Sequence, residues 1–165
     1  MKTLLLALVA VVLFPLTAHA LTMTVETTKG TIVIKLNPDG APNTVANLKS
    51  KSESGFYNGL TFHRVEAWVV QGGDPTGTGS GGGKIPSEFN PNPFMRGAVG
   101  IARGPDRSKN SDCQWFIVTK NASWLDGDYT NVGQVVSGME VVDQIAKGDK
   151  MTKVTIAEDA PPAQK

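Results

Sequence analysis

The chain has 165 residues, 40% of them hydrophobic and 19% charged, which is enough apolar material for one buried core and too much for a disordered segment. Lys and Arg total 16 against 15 Asp and Glu; setting aside Lys2, which lies in a segment expected to be removed, the balance is 15 to 15, so no net charge drives binding to nucleic acid or anionic membrane. The single cysteine, Cys113, excludes an internal disulfide, and with only two histidines, His19 and His63, a four-ligand His/Cys zinc site cannot be assembled.

Residues 1–20 read as a secretory signal: Lys2 is the basic start, Leu4 to Leu16 an apolar run broken only by Pro15, and Ala18-His19-Ala20 a small-x-small cleavage site. The run is shorter than the roughly 20 apolar residues a bilayer span needs, and no stop-transfer pattern follows. The mature chain is therefore expected to begin at Leu21 and to be periplasmic or secreted, without membrane attachment. Residues 21–157 are expected to form the domain and residues 158–165, with Pro161-Pro162, a flexible tail.

Thr22 to Thr28 and Thr31 to Asn37 flank Lys29-Gly30 as a hairpin, with Ile32, Ile34 and Leu36 on one face. Pro38-Asp39-Gly40 breaks it, and Val45 and Leu48 recur at helical spacing up to Gly55. Short strands are expected at Leu60 to Val65 and Trp68 to Gln71. A long exposed loop follows, rich in glycine from Gly72 to Gly83 and in proline at Pro86, Pro91 and Pro93. Further strands are expected at Ala98 to Ala102, Gln114 to Thr119, Asn131 to Val136 and Lys153 to Ile156, with a second helix at Met139 to Ala146 ended by Gly148. Many short strands, two helices and no βαβ alternation predict a mainly β fold, either an antiparallel barrel or a sandwich carrying helices.

Several motifs are weaker than they look. Gly77-Thr78-Gly79-Ser80-Gly81-Gly82 satisfies GxGxxG, but prolines follow it instead of a helix whose N-terminus would hold a pyrophosphate. Cys113 and His63 have no third group that would orient a nucleophile and base. Asp126 and Asp128 around Gly127 lack calcium-loop spacing and fit a turn. Asn121-Ala122-Ser123 is a glycosylation acceptor only in a eukaryotic secretory pathway. On the strand after Cys113, alternation places Gln114, Phe116 and Val118 on one face and Trp115 and Ile117 on the other. If the latter fill the interior, the outer face presents an aromatic ring beside an amide, unless another element covers it.

Gly59-Leu60-Thr61-Phe62-His63-Arg64-Val65, Val69-Val70-Gln71-Gly72-Gly73-Asp74, Gln114-Trp115-Phe116-Ile117 and Trp124-Leu125-Asp126-Gly127 occur in an order and spacing that resemble the cyclophilin-type peptidyl-prolyl isomerases. The resemblance runs from about Val25 to Ile156. It implies a closed eight-stranded antiparallel β-barrel capped by two α-helices, with a groove on its outer surface. It assigns Arg64 as the catalytic arginine and Gln71 as the glutamine that holds it. Phe116, Leu125, Trp68 and Val69 would form the proline pocket, with Phe62 among the substrate-binding residues. Ala102, Arg103 and Gln114 would run along the substrate backbone, and Trp124 would stand at a rim that in some members favours cyclosporin-like cyclic peptides.

The departures are one residue fewer between Arg64 and Gln71, Trp115 in place of a core phenylalanine, and Tyr129 where many members have histidine. The resemblance implies a monomer acting on proline-containing peptides and unfolded exported proteins, with no metal and no cofactor. A cyclophilin-fold module that binds proline segments without turning them over is the alternative, and retention of Arg64, Gln71, Gln114 and Phe116 favours the enzyme.

Overall fold

The computed structural model describes residues 20–159. Apart from Ala20, the predicted signal segment lies outside the described residues, as do residues 160–165 of the predicted tail. Among the described residues nine strands form one antiparallel sheet: β1 Leu21–Thr27, β2 Gly30–Leu36, β3 Phe62–Glu66, β4 Val69–Gly72, β5 Lys84–Pro86, β6 Ala98–Arg103, β7 Lys109–Val118, β8 Asn131–Ser137 and β9 Met151–Glu158. Eight follow the order β3-β4-β7-β6-β8-β2-β1-β9, and β5 pairs with the first part of β7.

The barrel is not closed, contrary to the expectation from resemblance: the sheet is open and strongly curled. Its end strands, β3 and β9, meet only at the isolated bridge between Thr61 and Lys150 and the backbone bonds around it. The reason is antiparallel register. To continue along β3, the pairing would need the residues just before β9, which turn at Gly148; to continue along β9, it would need the residues before Thr61, which turn at Gly55 and Gly59.

Along the curl, alternation separates two apolar bodies. Met23, Val25, Ile32, Ile34, Val99, Ile101, Trp115 and Ile117 point inward and are at most 2% exposed. Val69, Phe116 and Val118 point outward and join Phe94, Ala98, Ala122 and Leu125 in a second cluster. The outer face of β7 is therefore covered in part by the proline-rich loop, which brings Phe94, and by the short 3₁₀ turn Ser123–Leu125.

Helix α1, Pro42–Glu53, starts with Pro42 in the first turn, where its missing N–H costs nothing, and buries Val45 and Leu48. Its N-cap residue, Ala41, offers no side-chain acceptor; Glu88 from the loop supplies one, accepting from the Asn43 N–H (3.1 Å) and Thr44 N–H (2.8 Å). Helix α2 is shorter than predicted, Met139–Val142, because Asp149 takes the Ala146 N–H (2.8 Å) and Gly148, at φ +96°, turns the chain toward β9. β9 also extends into the predicted tail through Glu158, and the Asp159 N–H donates to the Ala20 carbonyl (2.7 Å), tying both ends of the described chain together. Among the described residues no helix is long and apolar enough to cross a membrane, and no group of three or more metal-ligating side chains occurs.

Candidate active site

Arg64 lies at the centre of a groove on the outer face of the curl, where β3, β4 and β7 run side by side. The register sets Arg64 opposite Gln71 and Gln71 opposite Phe116, so three adjacent strands deliver a cation, an amide and an aromatic ring in one row. The groove encloses about 330 Å³ and is lined by His63, Arg64, Trp68, Val69, Gln71, Thr78, Gly79, Ala102, Arg103, Phe116, Leu125 and Tyr129. Its size and its mixture of apolar wall and few polar groups suit a short peptide segment or a single ring.

The guanidinium of Arg64 is held on three sides. Nε donates to Glu66 Oε1 at 2.7 Å, Nη1 donates to Gln71 Oε1 at 3.1 Å, and the plane lies 5.4 Å from the centre of the Trp68 ring. Gln71 Nε2 then donates to Gln114 Oε1 at 3.1 Å. Gln71 and Gln114 are both buried, so each amide orientation is determined by its neighbours rather than by water.

The apolar wall is built on Phe116. It stacks on Phe94 (5.8 Å between centroids, 24° between planes) and meets Tyr129 edge-on (5.8 Å, 83°). Gly100, its cross-strand partner, must be glycine, since a Cβ there would come within 2.4 Å of the Phe116 ring and 2.6 Å of Phe94. Leu125 and Val69 complete the pocket. Trp124 stands on the rim, 62% exposed and 5.4 Å from Trp68, outside the cavity lining.

Two predicted site residues have different positions or partners. Phe62 points inward, fully buried and edge-on to Trp115 at 6.1 Å, because a bulge between Phe62 and Arg64 interrupts the two-residue alternation and puts the two side chains on opposite faces. It belongs to the core, not to a substrate surface. Arg103 lines the groove with three of its five N–H donors engaged within the protein: Nη2 is paired with Asp128, Nε donates to the Asp128 carbonyl (3.0 Å) and Nη1 to the Gly104 carbonyl (3.0 Å). Its plane lies 4.5 Å from the Tyr129 ring, which it supports from one side. Gln114 sits behind Gln71, hydrogen-bonded to it and outside the cavity lining.

Three contributors lie outside the expectation from sequence. Glu66 is two residues from Arg64 on the same strand, a spacing that places both on one face and that the sequence already displays. Its hydrogen bond with Arg64 holds the Glu66 carboxyl below the ordinary range. Phe94 comes from the proline-rich loop and carries no sequence signal. The glycine tract is a third: Gly79 lines the groove, and the carbonyls of Gly79 and Gly81 accept from Gln114 Nε2 at 3.1 and 2.9 Å.

The remaining candidates behave as structural residues. Burial pushes the Cys113 thiol up to about 11, so it is protonated and not a nucleophile near neutral pH. Desolvation pulls His63 below its ordinary value against the opposing attraction of Asp74. Asp126 lies in the turn expected of it and anchors the proline-rich loop there, accepting from the Phe94 N–H at 2.7 Å.

Residues 22–163 match the family described as cyclophilin type peptidyl-prolyl cis-trans isomerase/CLD. A peptidyl-prolyl cis-trans isomerase of Synechococcus elongatus is 43% identical over 140 residues, covering 82% of this chain and 95% of its own. Peptidyl-prolyl cis-trans isomerase B of Bacillus subtilis is 41% identical over 130 residues, covering 76% and 90%. In fold, a cyclophilin type isomerase of Cryptosporidium parvum superposes with a TM-score of 0.79 at 23% identity, covering 86% of this chain and 100% of that one. A structure of the same protein in the presence of the dipeptide Ala-Pro gives 0.77 at 24%, covering 84% and 99%. With its curled sheet, its arginine–glutamine row and relatives of this identity and coverage, the chain belongs to the cyclophilin-type peptidyl-prolyl cis-trans isomerases.

Proposed function

We propose that Arg64 is the group that speeds rotation about the X-Pro bond, and that the enzyme serves the folding of exported proteins. Rotation faces a barrier of roughly 18 to 20 kcal/mol because the amide is partly double-bonded. No covalent bond need form. Twisting the amide returns the lone pair to the prolyl nitrogen, and a cationic donor aimed there interacts mainly with the twisted state, which lowers the barrier instead of merely tightening binding. Arg64 is suited to such a role because its Nε and Nη1 are occupied by Glu66 and Gln71, which fixes the guanidinium and leaves Nη2 to donate to a substrate.

The apolar pocket of Phe116, Leu125, Val69 and Trp68 would anchor the proline ring while the residue before it turns. Raising a rate from about 0.01 to about 1,000 per second requires about 7 kcal/mol, divided among aimed charge, desolvation and positioning. The single observation that carries this reading is the row Arg64–Gln71–Gln114 beside an apolar pocket of ring size. A protease-coupled assay on an X-Pro peptide tests it, with Arg64→Ala expected to lose most of the acceleration; full activity in that variant would refute it.

The substrates we propose are proline-containing segments of exported proteins, met in the periplasm or outside the cell after cleavage behind Ala20. Lys2, the apolar run to Leu16 and Ala18-His19-Ala20 support that location. Intact-mass measurement of exported protein should give a chain beginning at Leu21, and material retaining Met1 would overturn it. Monomeric action is proposed as well, along with binding of cyclosporin-like cyclic peptides at the rim held by Trp124 and Trp68.

A further inference from the structure

The tract from Gly72 to Gly83 has little regular secondary structure and little apolar content, yet it follows one path, and the reason is a buried carboxylate. Asp74 is 1% exposed and accepts four hydrogen bonds. Oδ1 takes the Thr76 N–H (2.7 Å) and Thr76 hydroxyl (2.8 Å), while Oδ2 takes the Gly79 N–H (2.5 Å) and the Gly81 N–H (3.2 Å). The loop closes so tightly on this group that a Cβ on Gly81 would lie 2.1 Å from Asp74 Oδ1. The GxGxxG pattern in the sequence thus reports a wrapped carboxylate.

The two glycines whose N–H groups bind Asp74 turn their carbonyls to Gln114. Both hydrogens of Gln114 Nε2 are used there, at 3.1 Å to Gly79 and 2.9 Å to Gly81. With the nitrogen so engaged, Gln114 must present Oε1 to Gln71, which then donates from Nε2 and presents its own Oε1 to Arg64 Nη1. Each amide in this chain has one orientation, and the direction is set at the loop end. Burial would raise the Asp74 carboxyl, but the donors from Thr76, Gly81 and Gly79 outweigh it and hold the value at about 2, so the carboxylate is charged throughout the working range.

We propose that Asp74 is a positioning residue for the isomerisation: by holding Gly79 and Gly81 it orients the Gln114 and Gln71 amides and thereby aims Arg64. This rests on the reading of Arg64 given above. In Asp74→Asn one acceptor becomes an NH₂ group facing N–H donors, so the cradle opens on one side while the apolar pocket, made by other elements, is untouched.

The test is steady-state kinetics on an X-Pro peptide with Asp74→Asn, Gln114→Met and the double variant. Expected is a fall in kcat of about ten-fold or more in Asp74→Asn with KM within about two-fold of wild type, and a double variant no worse than the poorer single one. An unchanged kcat, an effect confined to KM, or losses that multiply in the double variant would each overturn the proposal, since a loop acting only on stability or on binding would give those results. A measurement on the unaltered protein keeps the idea falsifiable if Asp74→Asn fails to fold. Scalar couplings across hydrogen bonds should link Gln114 Nε2 to the Gly79 and Gly81 carbonyls, and their absence overturns the relay. Arg64→Ala in the same assay separates the two ideas: activity kept there removes the underlying site, whereas activity lost there with an unchanged kcat in Asp74→Asn removes only the relay.

Discussion

Replacing Arg64 with lysine keeps the charge and removes the fork, and the structure allows the effect to be worked out. The guanidinium makes two hydrogen bonds at once, to Glu66 and Gln71, and lies over Trp68. A lysine ammonium is a single point: it can reach one of those acceptors, has no plane to lay on the indole, and leaves the other acceptor unpaired. Losing one preorganised donor aimed at developing charge costs about 2.7 to 4 kcal/mol, or about 10² to 10³ in rate. Stability should hardly move, because the Arg64 side chain is 42% exposed and the Glu66 pair lies on the surface, where such changes stay within about 0.5 kcal/mol. For a domain of this size that is about 1 to 2 °C in melting temperature. The assay pairs a protease-coupled measurement of kcat/KM with circular dichroism and thermal melting. A lysine variant within about two-fold of wild-type turnover, with unchanged dichroism, would show that charge alone suffices and refute the role given to the fork.

Phe116→Ala should lower both peptide affinity and stability, since the ring is buried between Phe94 and Tyr129; removing it costs about 3 to 5 kcal/mol in fold, measured by denaturant titration, and an unaltered Kd for a proline peptide would place it outside the pocket. Glu88→Gln should cost about 0.5 to 2 kcal/mol by replacing one of the two acceptors that cap α1 with an NH₂ group. Burial would raise the Glu88 carboxyl, but the hydrogen bonds from Thr44 and Asn43 outweigh it, leaving its folded value below its unfolded one. The stability it contributes is therefore full above the unfolded pKa and lost as pH falls through the folded one. The gap between wild type and Glu88→Gln in urea melts should shrink on acidification, and a gap independent of pH would contradict the cap. Turnover should be nearly flat from about pH 6 to 8: arginine does not titrate there, and desolvation favours the neutral form of His63 across that window. A steep profile abolished by His63→Gln would show that a titrating group controls the reaction.

Much of this was already determined by residue order. Alternation on β7 separates Trp115 and Ile117 from Phe116 and Gln114, and that two-residue period sorts the strand into two faces while leaving which one turns inward to the curl of the sheet. The hairpin of β1 and β2 and the helix from Pro42 were likewise legible from local pattern. What the sequence could not determine is whatever depends on partners distant along the chain. Whether the curl closes is decided by the register of β3 against β9, whose bridge joins Thr61 to Lys150. The partners of Arg103, Asp128 and Tyr129, are brought against it only by folding. β5 exists only because β7 offers it a ladder, and a glycine tract that reads locally as a loose loop becomes one defined path once Asp74 is buried within it. Hydrogen bonds and charges gain their direction from the surroundings that desolvate them, and those surroundings come into being only when the sheet has curled.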